Sequence, residues 1–115
     1  MENIAPLPER SYAEINENRR RLLHDAYCSY PEYIYCDPDD FNWHTPAGRI
    51  NIFDLFYLGE NKYIDLIGAS AETHRKPEFF MLTAKGADLM EIPGDLDKRF
   101  PLLIHDSGTI PSSGR

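Results

Sequence analysis

The stretch that decides the fold runs from Glu78 to Glu91 and reads Glu-Phe-Phe-Met-Leu-Thr-Ala-Lys-Gly-Ala-Asp-Leu-Met-Glu. Its first half is apolar and aromatic, which is typical of a half-buried β-strand. Thr83 then stands where the N-cap of a helix is expected, and apolar residues follow that could form one helical face. The stretch therefore predicts a strand over 79–82 that passes directly into a helix over 83–91.

The passage from this strand to this helix also resembles a known family. Its Leu-Thr-x-Lys-Gly sequence, Leu82 to Gly86 with Leu89 soon after, resembles the end of a winged helix-turn-helix domain, where the second wing strand leads into the last helix. Residues 58–64 resemble the family's join between recognition helix and wing, although Gly59 lies earlier than the usual glycine. The resemblance covers residues 11–92. It implies an α+β winged-helix fold with three to four helices and a small antiparallel β-wing.

Upstream, the chain carries a clear helix start. Ser11 and Glu14 have the spacing of a capping box, in which each side chain accepts a hydrogen bond from the backbone of the other residue. Apolar residues follow at helical spacing until Pro31, which cannot continue a helix. The sequence predicts a first helix over 12–29.

The middle of the chain predicts three further elements. Residues 32–36 are β-branched and aromatic and predict a short strand. Asp37-Pro38 combines a capping residue with proline at the first helical position, which predicts a short second helix over 38–43. Thr45-Pro46 repeats that pattern and predicts a third helix over 46–58.

An alternative structure competes with this third helix. Residues 50–58 and 63–68 are rich in aromatic residues and isoleucine, and the four residues between them could form a hairpin turn. The fold would then be an antiparallel β-meander with an N-terminal helix. In the winged-helix alternative, residues 63–67 form the first wing strand and 70–77 the wing tip.

Length and composition predict one globular domain. The chain has 115 residues and a hydrophobic fraction of 42%, enough for a core without disulfides or metal. We expect a flexible arm over 1–10, a single domain over 11–104 and a disordered tail over 105–115. The apolar segment 95–104 either packs on its own core or makes a homodimer. No apolar run is long enough to span a bilayer, and no signal peptide is visible, so we expect a cytoplasmic protein.

The charge of the chain bears directly on its partners. The net charge is −7, and residues 31–60 contain six acids against one base, Arg49. Proteins that bind DNA through phosphate contacts are usually basic, because each Lys or Arg releases a counterion. The basic run 19–21 reads as a solvated helix face with acidic partners such as Glu17 and Asp25.

The resemblance nevertheless implies a DNA-binding transcriptional regulator acting on double-stranded DNA. The candidate DNA-binding residues lie on the third helix and the wing: Arg49, Asn51, Lys62, His74, Arg75 and Lys76. Asp54 and Glu60 on or near that helix would repel phosphate. The second hypothesis is an acidic protein–protein interaction module of the same fold, a phage or accessory factor, that does not bind DNA.

Nothing in the sequence identifies a reaction. There is no G-x-S-x-G elbow, phosphate-binding loop or H-E-x-x-H motif, so we predict no catalytic activity, metal or cofactor. His24, Cys28, Cys36 and His44 have no familiar zinc spacing, and the two cysteines predict a reduced thiol pair.

An aromatic-rich belt lies over the first helix, the first strand and the turn beyond them. Its members are Tyr27, Tyr30, Tyr33, Tyr35 and Trp43. We expect most of these side chains to pack around the small core, because a fold of this size needs large side chains there. The alternative is an interface, where aromatic residues are enriched.

Overall fold

A computed structural model of the chain describes residues 4–70, 72–73 and 75–102. Over these ranges the chain forms four helices and three strands. In chain order they are α1 (Tyr12–Ser29), β1 (Ile34–Tyr35), α2 (Pro46–Glu60), β2 (Ile64–Ile67), β3 (Phe79–Leu82), α3 (Ala84–Glu91) and α4 (Asp95–Arg99). The predicted α+β class is confirmed, and membership of the winged-helix family stays a prediction.

The first helix begins and ends where the sequence predicts. The Ser11 hydroxyl accepts a hydrogen bond from the Glu14 N–H at 3.1 Å, and the Glu14 carboxylate accepts one from the Ser11 N–H at 2.8 Å. This capping box satisfies two backbone donors that the first turn would otherwise leave open. The inner face of α1 buries Leu22, Leu23 and Ala26.

The three strands form one antiparallel sheet in the order β1-β3-β2. Phe80 lies opposite Ile34 on one side and Leu66 on the other, which fixes the register. The inner face of the sheet buries Phe80 and Leu82 beside Ile64. Because residues 50–58 are helical, the meander alternative is wrong.

The predicted short helix over 38–43 is also wrong. Asp37 accepts backbone hydrogen bonds from Asp40 at 3.0 Å and Phe41 at 2.9 Å, which makes turns that do not continue. Asn42 then accepts the His44 N–H through its side chain at 2.8 Å, so the chain reverses before α2. The turn buries Phe41 in the core. The packing of Phe41 therefore outweighs the helix start that Asp37-Pro38 predicts.

The passage from β3 to α3 confirms the prediction made from the deciding stretch. The Thr83 hydroxyl accepts the Gly86 N–H at 3.0 Å and donates to the Lys62 carbonyl at 2.6 Å. A side chain on Gly86 would overlap the Tyr63 carbonyl oxygen. One threonine therefore caps α3 and also ties it to the start of β2.

The segment after α3 packs on its own core. Phe100 is buried, and its ring lies 6.3 Å from that of Tyr63. The Asn16 side chain donates to the Pro101 carbonyl at 2.8 Å. Over residues 95–102 the fold-back alternative is therefore confirmed, and the predicted tail over 105–115 lies outside the described residues.

Candidate functional site

The helix α2 positions the candidate site. The Thr45 hydroxyl accepts the Gly48 N–H at 3.1 Å, and Pro46 occupies the first turn. A side chain on Gly48 would overlap the backbone of Asn42, so only glycine allows the preceding turn to pack this closely. One face of the helix buries Ile52, Leu55 and Leu58 in the core.

A second face of α2 holds a buried ion cluster. Asp54 is 0% exposed and accepts two hydrogen bonds from Arg10, at 2.8 and 3.1 Å. Arg19 donates to the same carboxylate through Nε at 3.0 Å, and Asn18 donates at 2.7 Å. The expectation that Asp54 would repel phosphate at the surface is wrong, because these donors hold the carboxylate inside the protein.

The base-reading candidate Asn51 points toward this cluster. Its amide nitrogen donates to the Asp40 carbonyl at 2.8 Å. Its amide oxygen accepts from Asn18 at 3.1 Å and from Arg21 at 2.9 Å. To read a base edge, Asn51 would have to break these internal hydrogen bonds.

The remaining face of α2 is exposed and aromatic, and the turn before the helix adds an indole ring to it. A groove of about 230 Å³ runs along it, which we call the α2 groove. It is lined by Trp43, Arg49, Phe53, Phe56, Tyr57 and Glu60. The spacing of the five helix positions places them on one helical face, and this spacing is visible in the sequence alone.

Cations hold the aromatic rings of the α2 groove in place. The Arg19 guanidinium lies 3.6 Å from the centre of the Tyr57 ring, and Arg99 donates to the Tyr57 hydroxyl at 2.7 Å. That hydrogen bond raises the pKa of Arg99 above its usual value. The Trp43 and Phe56 rings lie 6.4 Å apart. Cation–π contacts and ring packing therefore hold the side chains of this lining against one another.

The sequence-predicted DNA contacts are only partly brought together. The Arg49 guanidinium lies 5.3 Å from the centre of the Trp43 ring. Lys76 lines an adjoining groove of about 280 Å³, which Trp43 also lines, and it donates to the Cys36 carbonyl at 3.1 Å. Lys62 follows the far end of α2, and Arg75 lies in the β2–β3 connection, exposed and bridged through its backbone to Ser70. His74 lies outside the described residues.

The candidate metal ligands are dispersed. Cys28 lies 3.6 Å from the nearer ring nitrogen of His24 on the exposed side of α1, whereas Cys36 is buried. Over the described ranges, no three His, Cys, Asp or Glu side chains gather as ligands for one ion. Both described cysteines are free thiols.

The aromatic belt is largely outside the core, so the packing expectation is wrong for its tyrosines. Tyr33 and Tyr35 are more than half exposed, and Tyr27 and Tyr30 are also exposed. The register places Tyr35 beside Phe79 on the outer sheet face, with ring centres 5.7 Å apart. Phenylalanine and leucine side chains fill the core instead, so the core does not need these tyrosines for its packing.

A larger depression, of about 440 Å³, lies between the N-terminal segment and α1. Most of its lining residues are charged, and its two arginines are already bonded: Arg10 to Asp54, and Arg21 to Asn51. The α2 groove is therefore the stronger candidate for a binding site.

Comparison of the chain with protein-family models, with curated proteins and with solved structures gives no match. Within the described ranges, none of the helices has the length and apolar character needed to cross a membrane.

Proposed function

We propose that the chain is a non-catalytic, cytoplasmic protein-binding module that engages its partner through the α2 groove. The observation that carries the proposal is the exposed aromatic surface of α2. Phe53 is 38% exposed and lies between half-buried rings that include Trp43 and Phe56. Aromatic residues and arginine are enriched at the centres of protein interfaces, where they supply most of the binding energy.

The chemistry of the same helix argues against base reading. An asparagine reads adenine by offering its amide donor and acceptor together, and Asn51 uses both groups within the fold. The carboxylate of Asp54 is paired with Arg10 and Arg19, so it has no free group for a contact with DNA. The net charge of −7 also opposes the approach to a phosphate backbone.

A DNA-binding transcriptional regulator is the second candidate, and one observation favours it. Arg49 lies 5.3 Å from the centre of the Trp43 ring, and Trp43 also lines the adjoining groove that contains Lys76, so two cations border neighbouring grooves. They could contact phosphates without reading bases. Binding of that kind would weaken steeply with salt.

A paired binding experiment tests the proposal. The protein is panned against a random-peptide phage library, and its affinity for a random DNA duplex is measured by fluorescence anisotropy at about 50 and about 200 mM salt. We expect enriched peptides that bind wild type but not Phe53→Asp. Tyr12→Asp is the matched control. Tyr12 is exposed in the first turn of α1, where the helix dipole stabilises a negative charge.

Circular dichroism first establishes that both variants fold. If no peptide family is enriched, or if Tyr12→Asp loses the peptides as fully as Phe53→Asp, the proposal is wrong. Salt-sensitive binding of the duplex, lost on Arg49→Gln, would establish the DNA-binding candidate in its place.

A further inference from the structure

We propose that the α2 groove takes an extended peptide of defined charge polarity, with an acidic residue at the Arg49 end and a basic residue at the Glu60 end. Apolar residues of the peptide lie over the aromatic rings between them. This inference rests on the proposed function and adds the chemical class of the partner segment and its direction along the helix.

The Arg49 end of the groove has unused hydrogen-bonding capacity. The Nε atom of Arg49 is buried and has no acceptor within the part of the chain that the structure describes. Over the described ranges its side chain forms no hydrogen bond or ion pair, and its guanidinium lies 5.3 Å from the centre of the Trp43 ring. A ligand cannot reach the buried Nε, but Arg49 lines the groove, and a carboxylate bound to its terminal N–H groups would gain charge-assisted hydrogen bonds.

Other arginines packed against the fold differ from Arg49. Arg10 and Arg19 bind the carboxylate of Asp54, and Arg20 binds that of Asp97. Arg99 donates to a tyrosine hydroxyl on α2. Arg49 is thus held in position by an indole ring and has no carboxylate partner among the described residues, as expected for a group that takes its carboxylate from outside.

The opposite end of the groove carries the opposite charge. Glu60 is the last residue of α2, is exposed, and forms no ion pair within the described ranges. Its carboxylate lies at the C-terminal end of the helix dipole, where negative charge is unfavourable. A basic side chain from a partner would relieve this repulsion, so Glu60 favours a cation at that end.

The distance between the two charges sets the length of the peptide. At 1.5 Å per residue, the helix rises about 16 Å from Arg49 to Glu60. An extended chain advances about 3.3 Å per residue, so the two charged residues of the peptide lie about five positions apart. Phe53 and Phe56 lie between the charged ends and present apolar surface to the central peptide residues.

The test is a set of parallel selections from one random-peptide library, against wild type, Arg49→Glu and Glu60→Lys. Wild type should enrich peptides with an acid and a base separated by about four mostly apolar residues. Arg49→Glu should change the preference at its end of the groove from an acidic to a basic peptide residue. Glu60→Lys should change the preference at the other end from a basic to an acidic residue. Lys62→Glu is the matched control, because Lys62 is exposed outside the groove.

Synthetic peptides from the wild-type selection then give affinities. We expect each charge reversal to weaken binding about tenfold and a charge-swapped peptide to restore it. Arg49→Gln, which keeps the size of the side chain and removes its charge, should weaken binding without reversing the preference. Peptides whose charges do not follow these reversals would overturn the inference and leave the groove as a binding site. No enriched peptides at all would overturn the proposed function itself.

Discussion

Arg10 and Asp54 lie 44 positions apart in the chain and form a two-pronged ion pair, with nitrogen–oxygen distances of 2.8 and 3.1 Å. The side chain of Arg10 is 8% exposed and that of Asp54 is not exposed at all. The pair fastens the segment before α1 to the middle of α2. A second contact, from the Ala5 N–H to the Trp43 carbonyl at 2.8 Å, holds the same segment near the α2 groove.

Asp54→Asn should strongly destabilise the protein. The substitution leaves the guanidinium groups of Arg10 and Arg19 buried against a neutral amide, and breaking a buried ion pair from one side costs about 3–5 kcal/mol. Urea unfolding measures the loss. Asp97→Asn is the control, because its side chain is 80% exposed and its pairing with Arg20 should contribute less than about 1 kcal/mol. Equal losses in both variants would contradict the cluster's role.

Gly86→Ala should destabilise the protein by about 3 kcal/mol or more, because the new methyl group meets backbone that cannot move aside. It would overlap the Tyr63 carbonyl oxygen and lie 2.7 Å from a methyl group of Leu82. Gly94→Ala is the comparison. Nothing lies near its added carbon, and only the positive φ of 85° is strained, at a cost of about 1 kcal/mol. Thermal melting should rank the two, and the reverse ranking would contradict the packing described.

The free energy of unfolding should depend on pH in the alkaline range because of Cys36. Burial raises the pKa of its thiol from 9.0 to about 11, against a smaller lowering by Lys76. The unfolded chain therefore loses this proton first, so the free energy of unfolding should fall between about pH 9 and about pH 11, by about 2 kcal/mol. Cys36→Ala should remove that part of the slope, whereas Cys28→Ala should keep it. Identical slopes in the two variants would show that the thiol is not responsible.

The groove residues should matter little for stability. Phe53→Asp should change the free energy of unfolding by about 1 kcal/mol or less, because the ring is already partly exposed. Leu55→Ala, two positions along the same helix, removes a fully buried side chain and should cost about 2–5 kcal/mol. Chemical denaturation compares the pair directly. A cost for Phe53→Asp as large as for Leu55→Ala would make the aromatic surface part of the core.

Local signals predicted the elements whose ends are fixed by local hydrogen bonds. The capping box at Ser11 predicted the start of α1 and Pro31 its end, and Thr45 and Thr83 each cap the helix predicted from them. The helix expected after Asp37 failed because the same cap-then-proline pattern also suits a turn. Which of the two forms depends on the burial of Phe41, a long-range contact.

The candidate site was harder to predict than the fold, because polar residues on a helix give no sign of which way they face. Asn51 and Asp54 looked like surface groups, and both turn toward α1, where Asn18 binds each of them. The core needs only one face of the helix, and Phe53 lies on another.

The most direct test of the central claim, that α2 presents a protein-binding surface, is a pair of titrations followed by backbone amide chemical shifts. One adds a peptide selected on the groove, and the other adds random duplex DNA at low salt. We expect the peptide to shift amides around Phe53 and Glu60 and the duplex to shift none. Shifts caused by the duplex at Lys62, Arg75 and Lys76, with none at Phe53 on adding peptide, would contradict the claim.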